Sequence, residues 1–137
     1  MSDCVFCKIR DGQLPSFKIN EDERTLTFMD INPINSGHCL VTTKAHAATL
    51  FEADEEDLRA AMVAAKRVAL AIQHALKPDG LNVLQANGAA AFQSVPHFHL
   101  HLIPRWNNDG KGFDWKEVKA DPQQIMKIGE RLRALLR

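Results

Sequence analysis

Residues 97–103 read His-Phe-His-Leu-His-Leu-Ile, so three histidines alternate with large apolar residues. Successive side chains of a β-strand point to opposite faces of the sheet. The alternation therefore predicts a strand with three imidazoles on one face, about 6.5 Å apart, and three apolar side chains buried on the other. The chain holds six histidines in all, and half of them on one strand face is not typical of a plain solvent-exposed surface.

Three interpretations of this histidine face stay open on the residues alone. It could be the polar side of an amphipathic strand. It could bind a metal ion, because His-x-His on a strand is a common zinc arrangement, but Pro104 and Arg105 follow it and no carboxylate is close. It could supply a nucleophile, because a neutral imidazole can attack phosphorus and divide one hard step into two easier ones. Arg105 could then compensate phosphate charge.

Length and composition predict one globular domain over residues 1–137 with a single core. Apolar residues make up 45% and charged residues 25% of the chain, and the net charge is zero. No broad positive field is therefore expected to recruit nucleic acid. Neither a run of 18 apolar residues nor a secretory leader is seen, so we expect no membrane span. Three cysteines without a leader favour a reducing, cytoplasmic setting.

The remaining patterns predict an antiparallel α+β fold rather than a doubly wound one, since strands precede and follow one long helix with short connections. Strands are expected at 18–20, 25–29, 38–43, 81–85 and 97–103, and helical segments at 5–10, 54–77 and 122–136.

The helix over 54–77 is the clearest element of the sequence. Asp54 is a favourable N-cap, three acidic residues follow it, and Lys77-Pro78 ends the helix. Several alanines suggest that the helix lies close to a sheet. Apolar residues recur every three or four positions and predict one buried stripe, made of Leu58, Met62, Ala65, Ala69, Ile72 and Leu76.

The segment 93–105, Gln-Ser-Val-Pro-His-Phe-His-Leu-His-Leu-Ile-Pro-Arg, resembles the motif of the histidine triad (HIT) superfamily. Segments 4–9, 28–33, 37–41 and 44–46 fall in the order that the family uses. The resemblance implies the HIT fold, with one long packing helix and a C-terminal helix, and a homodimer. It also implies an enzyme that binds a purine nucleotide and acts as a hydrolase or transferase. Such an enzyme cleaves a nucleoside phosphoramidate or dinucleoside polyphosphate at the α-phosphate through a nucleotidyl-histidine intermediate.

The same resemblance implies roles around the phosphate. His99 corresponds to the nucleophile, and His101 to the histidine that contacts phosphate and assists the leaving group. Gln93 and Ser94 correspond to residues that hydrogen-bond phosphate oxygens. Asn87 stands next to the place where the family often has a phosphate-contacting asparagine.

Roles around the nucleoside follow in the same way. Asp30 corresponds to the acid that accepts hydrogen bonds from the ribose hydroxyls, which a carboxylate can do with two oxygens. The apolar slot for the base corresponds to Phe6, Ile9, Leu14, Phe28 and Ile31.

A zinc site is also implied. Bacterial HIT proteins with Cys-x-x-Cys, Lys-x-His and the first triad histidine resemble this chain at Cys4, Cys7, His46 and His97. Two thiolates and two imidazoles complete a tetrahedron, so such a zinc ion would be structural. His97 would then take no direct part in the chemistry.

Some residues depart from the family pattern, with Phe92 in place of the usual glycine and Ala86 in place of the usual asparagine. We predict structural roles for His38, Cys39 and His74. The alternative functions are a zinc-dependent hydrolase that uses the three histidines as ligands and a non-enzymatic nucleotide-binding module. A redox protein using the Cys-x-x-Cys pair is less favoured, because no thioredoxin-like βαβ context surrounds it.

Overall fold

The computed structural model describes residues 3–113 and 115–136, and its elements follow the predicted order. They are α1 (Val5–Arg10), β1 (Lys18–Glu21), β2 (Thr25–Met29), β3 (Cys39–Thr43), α2 (Glu55–Leu76), β4 (Gly80–Leu84), a 3₁₀ turn (Ala89–Ala91), β5 (His99–Arg105) and α3 (Pro122–Leu136).

The five strands form one sheet in the order β1-β2-β3-β5-β4, and every neighbouring pair is antiparallel. This confirms the predicted α+β class. In the centre of the sheet, His99 lies opposite Thr42, and His101 lies opposite Leu40. Residues directly opposite one another share a face of the sheet. The pairing of β3 with β5 therefore fixes what surrounds each histidine.

One face of the sheet is covered by α2. The apolar side of β5 and two residues of β3 pack against this helix in a continuous core, as the alternation predicted. Asp54 caps α2 by accepting a hydrogen bond from the Glu56 amide. The predicted stripe is partly wrong, because Met62 and Leu76 are exposed. The apolar residues that α2 buries are Ala61, Ala64, Ala65, Val68 and Ile72. Since most of them are short, the helix can lie close to the strands.

The opposite face of the sheet carries the histidines and is covered by α1. Phe6 and Ile9 of this short helix pack on Leu26, Phe28 and Leu40 in a second apolar cluster. The helix begins at Cys4, whose sulfur accepts a hydrogen bond from the backbone amide of the third following residue. The N-terminal segment is thereby placed directly over the histidine face.

The triad strand begins later than predicted, at His99 rather than at residue 97. The amide of His97 donates to the Val95 carbonyl over 2.8 Å, and the Phe98 amide donates to the Ala47 carbonyl over 2.7 Å. These bonds hold the chain in a bend instead of in the sheet. The rings of His97 and His99 nevertheless both contact Phe6, with centroids 5.8 and 4.9 Å away.

Two surfaces of the molecule remain uncovered. Every described residue of α3 is exposed, including the apolar side of this helix. β4 is an edge strand of the sheet, and its Val83 is exposed. No helix within residues 3–113 and 115–136 is long and apolar enough to cross a membrane.

Candidate functional site

His99, the first residue of β5, is buried, and one of its two ring nitrogens has a defined partner. Nδ1 lies 2.6 Å from the carbonyl oxygen of His97. A carbonyl can only accept, so Nδ1 carries the hydrogen and Nε2 keeps its lone pair while the ring is neutral. Burial lowers the pKa of His99, although the bond to the carbonyl and the carboxylate of Asp30 act in the opposite direction. The ring is therefore neutral with an unprotonated Nε2 at neutral pH.

His101 follows His99 on the same face, with ring centroids 4.8 Å apart. Burial, with added repulsion from His99 and His38, lowers the pKa of His101 to about 4. Its Nδ1 lies 3.0 Å from Nε2 of His38. His101 is therefore also neutral at physiological pH, and it is held by a hydrogen bond with His38, which lies just before β3.

His38 is buried just before β3, next to the carboxylate of Asp30. The turn at Gly37 leads into this position. Residue 37 has a φ of +89°, and an added Cβ would clash with Leu76, so the turn favours glycine. Nδ1 of His38 accepts the backbone N–H of Ile34 over 3.0 Å. Its Nε2 is 3.5 Å from Asp30 Oδ2. Burial lowers the pKa of His38 although Asp30 opposes the shift.

The ligand atoms of Asp30, His38 and His101 lie within 4.8 Å of one another, which is close enough to suggest a metal site. The hydrogen bonding of His38 argues against this. Its Nδ1 accepts the Ile34 amide, so its single ring hydrogen is on Nε2, the nitrogen that would have to bind the ion. Metal-bound histidines instead donate from the other ring nitrogen. This cluster is therefore a hydrogen-bonded group.

A cavity of about 470 Å³ opens beside the histidine face. Its volume is within the range of small-molecule sites. Most of its wall is apolar, and polar groups converge at one part of it. The polar side chains on the wall are those of Ser16, Asp30, Asn32, Ser94, His99 and His101.

The predicted nucleoside residues all line this cavity. Phe6, Ile9 and Phe28 are buried and also belong to the second apolar cluster, with the two aromatic rings packed edge to face at 5.3 Å. Leu14 lies on the wall as well, and Ile31, at 87% exposed, lies at the rim. The carboxylate of Asp30 accepts the Asn32 amide through Oδ1. Its place on the wall also lets it face a ligand.

Of the loop residues predicted to bind phosphate, the structure places only one on the wall of the cavity. Ser94 lines the cavity, whereas Gln93 and Asn87 are not on its wall. Gln93 accepts the Gly88 amide and donates to the Ala48 carbonyl, so its side chain fixes the loop. The amide of Asn87 is bonded to Gln85 and to the backbone of Leu50. In this structure both residues support the loop that carries Ser94.

Phe92 occupies an unusual position in the same loop. It has a φ of +65° and is 84% exposed. A bulky residue at positive φ is strained, which a glycine would not be. The departure from the family pattern at this position therefore has a local cost, and the aromatic ring is presented to solvent next to Gln93.

Arg105 does not face the cavity. Its guanidinium forms two bonds with the carboxylate of Asp109, at 2.8 and 3.1 Å, and others with Asn82 and the Lys111 carbonyl. This pairing holds the pKa of Asp109 far below its usual range. The arginine thus stabilises the loop after β5, and the phosphate role considered for it is not supported.

Cys4, Cys7, His46 and His97 form a second cluster whose ligand atoms lie within 4.8 Å of one another. Nδ1 of His97 is 3.3 Å from Cys4 Sγ and 3.2 Å from Nδ1 of His46, which lies 3.4 Å from Cys7 Sγ. These four residues, from α1, the loop after β3 and the bend before β5, could bind a metal ion.

The tautomer of His97 fits a metal ligand. Its Nε2 lies 2.6 Å from the Thr43 carbonyl and must donate to it. The lone pair is therefore on Nδ1, which faces the sulfurs and His46. Donation from the second nitrogen to a carbonyl is the usual support of a metal-bound histidine. His97 and His38 thus carry their hydrogen on the same nitrogen, Nε2, but turn different atoms toward their clusters. His97 presents the lone pair of Nδ1, which suits an ion, whereas His38 presents its N–H.

Cys39 is buried in the core behind the sheet. Burial raises the pKa of its thiol to about 11. It is therefore a poor nucleophile and a poor metal ligand at neutral pH, in accord with the prediction that it is structural.

The sequence matches the family model described as the HIT domain over residues 11–108. It is 38% identical over 135 residues to the adenosine 5'-monophosphoramidase hnt1 of Schizosaccharomyces pombe, which is 98% of each chain. A crystal structure of a HIT family protein from Bacillus subtilis matches with a TM-score of 0.90 and 38% identity, over 97% of this chain and 96% of that one.

A zinc-bound histidine triad family protein from Mycobacterium smegmatis matches with a TM-score of 0.77 and 36% identity, over 98% of this chain and 95% of that one. The matches span almost the whole chain and include its histidine motif. The antiparallel sheet, with the histidines on one face and the long helix on the other, agrees with them. The chain therefore belongs to the HIT domain family.

Proposed function

We propose that this protein is a hydrolase that binds a purine nucleotide and cleaves it at the α-phosphate through a nucleotidyl-His99 intermediate. Its substrates are nucleoside phosphoramidates or dinucleoside polyphosphates. The relatives named adenosine 5'-monophosphoramidase, in Schizosaccharomyces pombe and Saccharomyces cerevisiae, support the first class.

One observation carries the proposal, namely the 2.6 Å bond from His99 Nδ1 to the His97 carbonyl. It fixes the ring and leaves the Nε2 lone pair available on a residue that lines the cavity. Burial keeps the ring neutral, which a nucleophile requires. A surface histidine would have neither the fixed tautomer nor the lowered pKa.

The reaction is a double displacement at phosphorus. The Nε2 lone pair of His99 forms a bond to phosphorus, and the P–N or P–O bond to the leaving group breaks. The electron pair leaves with that nitrogen or oxygen, which takes up a proton from water. A second water then attacks phosphorus, the P–Nε2 bond breaks, and its electron pair returns to His99. The proton that this water loses neutralises the hydroxide left by the first step, so one water is consumed in all. The released product is a nucleoside monophosphate.

Recognition of the nucleoside would fall to the apolar part of the cavity. The base would lie among Phe6, Ile9 and Phe28, and the ribose hydroxyls would donate to Asp30. Ser94, on the same wall, would donate to a phosphate oxygen. A nucleotide bound in this way would have its phosphate next to His99 and His101.

We also propose that the cluster of Cys4, Cys7, His46 and His97 binds zinc. Two thiolates and two imidazoles are a typical ligand set for a structural zinc ion, and the zinc-bound neighbour from Mycobacterium smegmatis supports the choice of metal. All four ligands come from the protein, so the ion would stabilise the fold. It would link α1 to the bend before β5.

The alternative of a zinc-dependent hydrolase with three histidine ligands has less support. Within the described residues, His97 and His101 fall in two different clusters and His99 falls in neither. Nδ1 of His99 is also engaged with a carbonyl. A non-enzymatic nucleotide-binding module would share the cavity, so only a turnover measurement separates it from the proposed enzyme.

The test is a substrate panel of adenosine 5'-phosphoramidate, diadenosine polyphosphates and adenylyl sulfate, ranked by kcat/KM. We expect release of AMP from at least one class, and a mass increase of one AMP on the His99 peptide after acid-free quenching of a steady-state reaction. Binding of AMP without turnover of any of these compounds would instead support the binding module.

We further propose that the protein forms a homodimer, which covers the exposed surfaces described above. More than half of each side chain on the apolar side of α3 is exposed. Edge strand β4 has no strand on its outer side among residues 3–113 and 115–136. Exposed apolar stripes of this kind mark interaction sites. The stripe on α3 consists of Ile125, Ile128, Leu132 and Leu135.

Replacing Ile128 and Leu132 together with Glu is expected to shift the protein from dimer to monomer, because two charges would have to be buried at the interface. Sedimentation velocity measures the change. The control is Gln123→Glu with Ala134→Glu, which adds the same charge on the opposite side of α3 and should leave the dimer intact. A wild-type protein that sediments as a monomer at micromolar concentration would refute the proposal.

A further inference from the structure

We propose that His38 is a positioning residue for the reaction. It holds His101 in the neutral tautomer that carries its hydrogen on Nε2, and so makes His101 a hydrogen-bond donor to the group that leaves phosphorus. The inference rests on the proposed function for its chemical meaning, whereas the tautomer itself can be measured without any substrate.

The first step is the Ile34 amide. A backbone N–H can only donate, and it lies 3.0 Å from Nδ1 of His38. Nδ1 of His38 must therefore have its lone pair on that side. The ring of His38 is neutral and buried, at 2% exposed. Its one hydrogen is consequently on Nε2.

The second step is the contact between the two histidines. Nε2 of His38 lies 3.0 Å from Nδ1 of His101. Since Nε2 is the protonated atom, it donates, and Nδ1 of His101 accepts. His101 must then carry its own hydrogen on Nε2, the nitrogen that does not face His38. The carboxylate of Asp30, 3.5 Å from the same His38 nitrogen, favours the N–H there.

The third step is the comparison with His99. The two rings are neighbours, with centroids 4.8 Å apart, and both line the cavity. His99 has its hydrogen on Nδ1 and a lone pair on Nε2, whereas His101 has the reverse. The same face of β5 therefore presents one nucleophilic nitrogen and one N–H donor. The His97 carbonyl fixes the first directly, and the Ile34 amide fixes the second through His38.

The N–H of His101 acts without being transferred. As the P–N or P–O bond breaks, the electron pair goes to the leaving atom, and a hydrogen bond from Nε2–H stabilises the charge that develops there. The neutral ring keeps its hydrogen, and the leaving atom takes its proton from water. Without His38, the ring of His101 could turn its lone pair toward the leaving atom, which would repel the charge.

The decisive experiment is ¹⁵N NMR of histidine-labelled protein at neutral pH. In the wild type we expect Nδ1 of His101 to be unprotonated and Nε2 to be protonated, with the opposite assignment for His99. His38→Leu should abolish the fixed assignment at His101. His38→Gln, whose terminal amide can donate from nearly the same position as Nε2, should retain it.

Kinetics provide the second measurement. His38→Leu is expected to lower kcat by about 10- to 100-fold, with KM little changed. This is less than the roughly 10²- to 10³-fold effect of removing a donor outright, because the ring of His101 remains. His38→Gln should recover most of the loss. Cys39→Ala, a buried substitution at the next position on the other face of the sheet, controls for loss of packing and should leave kcat nearly unchanged.

A wild-type His101 protonated on Nδ1 would overturn the inference, and so would a His38→Leu variant with unchanged kcat. An equal loss of kcat in His38→Gln and His38→Leu would reduce His38 to a packing residue. If His38→Leu does not fold, the wild-type NMR spectrum and the kcat of His38→Gln still test the inference. A wild type that turns over no nucleotide substrate would refute the proposed function and leave the NMR result standing as a test of His38.

Discussion

Replacing His99 with Ala is expected to lower kcat by at least about 10⁴-fold, the usual scale for loss of a nucleophile that acts with its neighbours as a unit. Binding of AMP should persist, because the apolar wall of the cavity and Asp30 are unchanged. Turnover by quenched-flow or steady-state assay and binding by calorimetry measure the two quantities separately. Undiminished turnover would remove His99 from the role of nucleophile.

The cavity left by this substitution allows a sharper test. The ring of His99 lies between Phe6 and His101, with centroid distances of 4.9 and 4.8 Å. Free imidazole can occupy the space of the missing ring, so added imidazole should restore part of the turnover of the alanine variant. His74→Ala, an exposed position on α2, is the control and should neither lose activity nor respond to imidazole.

The second large effect is expected at the proposed zinc site. Cys7→Ala should reduce bound zinc from about one ion per chain to near zero, because the variant lacks one of the four ligands. The melting temperature should fall by about 10 °C or more, since a structural metal contributes several kcal/mol to folding. Atomic absorption and calorimetry measure the two changes.

Cys39→Ala is the matched control, because Cys39 is as buried as Cys7 and lies outside the cluster. It should keep its zinc and lose only a few degrees. Removing zinc from the wild type with a chelator, at a temperature where the protein stays folded, should leave kcat largely intact. Loss of kcat in the folded, metal-depleted protein would favour the zinc-dependent hydrolase.

Local patterns predicted the parts of the fold that local physics determines. The alternation at 97–103 indicated which side of β5 is apolar, and that side is buried against α2. The long helix begins after Asp54 and ends before Lys77, as expected. Lys77 has the left-handed conformation that ends the helix. The candidate metal cluster came from the family resemblance and not from a local pattern. The resemblance named the four residues that the structure brings together.

Sequence reasoning missed the contact between His38 and His101, on which the proposed positioning role rests. We predicted only a structural role for His38, because no spacing rule links two residues that are 63 positions apart. Their contact depends on the register of β3 against β5, and register is decided by packing over the whole sheet. A single histidine after Gly37, at the start of a strand, was the only signal available.

Two predicted details were wrong, namely the buried face of α2 and the first residue of the triad strand. The stripe on α2 was drawn through large residues such as Met62, whereas the sheet packs against the alanines, which let the helix approach closely. The triad strand was extended to residue 97, but tight backbone hydrogen bonds at Val95 and Ala47 keep that residue in a bend.

The roles of Gln93 and Asn87 at phosphate and the cytoplasmic location stay predictions.

Residue 97 serves two sites with two separate chemical groups. Its imidazole belongs to the proposed metal cluster, while its peptide carbonyl orients His99, the proposed nucleophile. A substitution of the side chain can therefore weaken the first site and spare the second. A shift of the main chain at this point cannot separate them, because it would displace a ligand and misdirect His99 together. A single peptide unit thus joins the proposed metal site, which includes Cys4 and Cys7 of the N-terminal segment, to the proposed nucleophile.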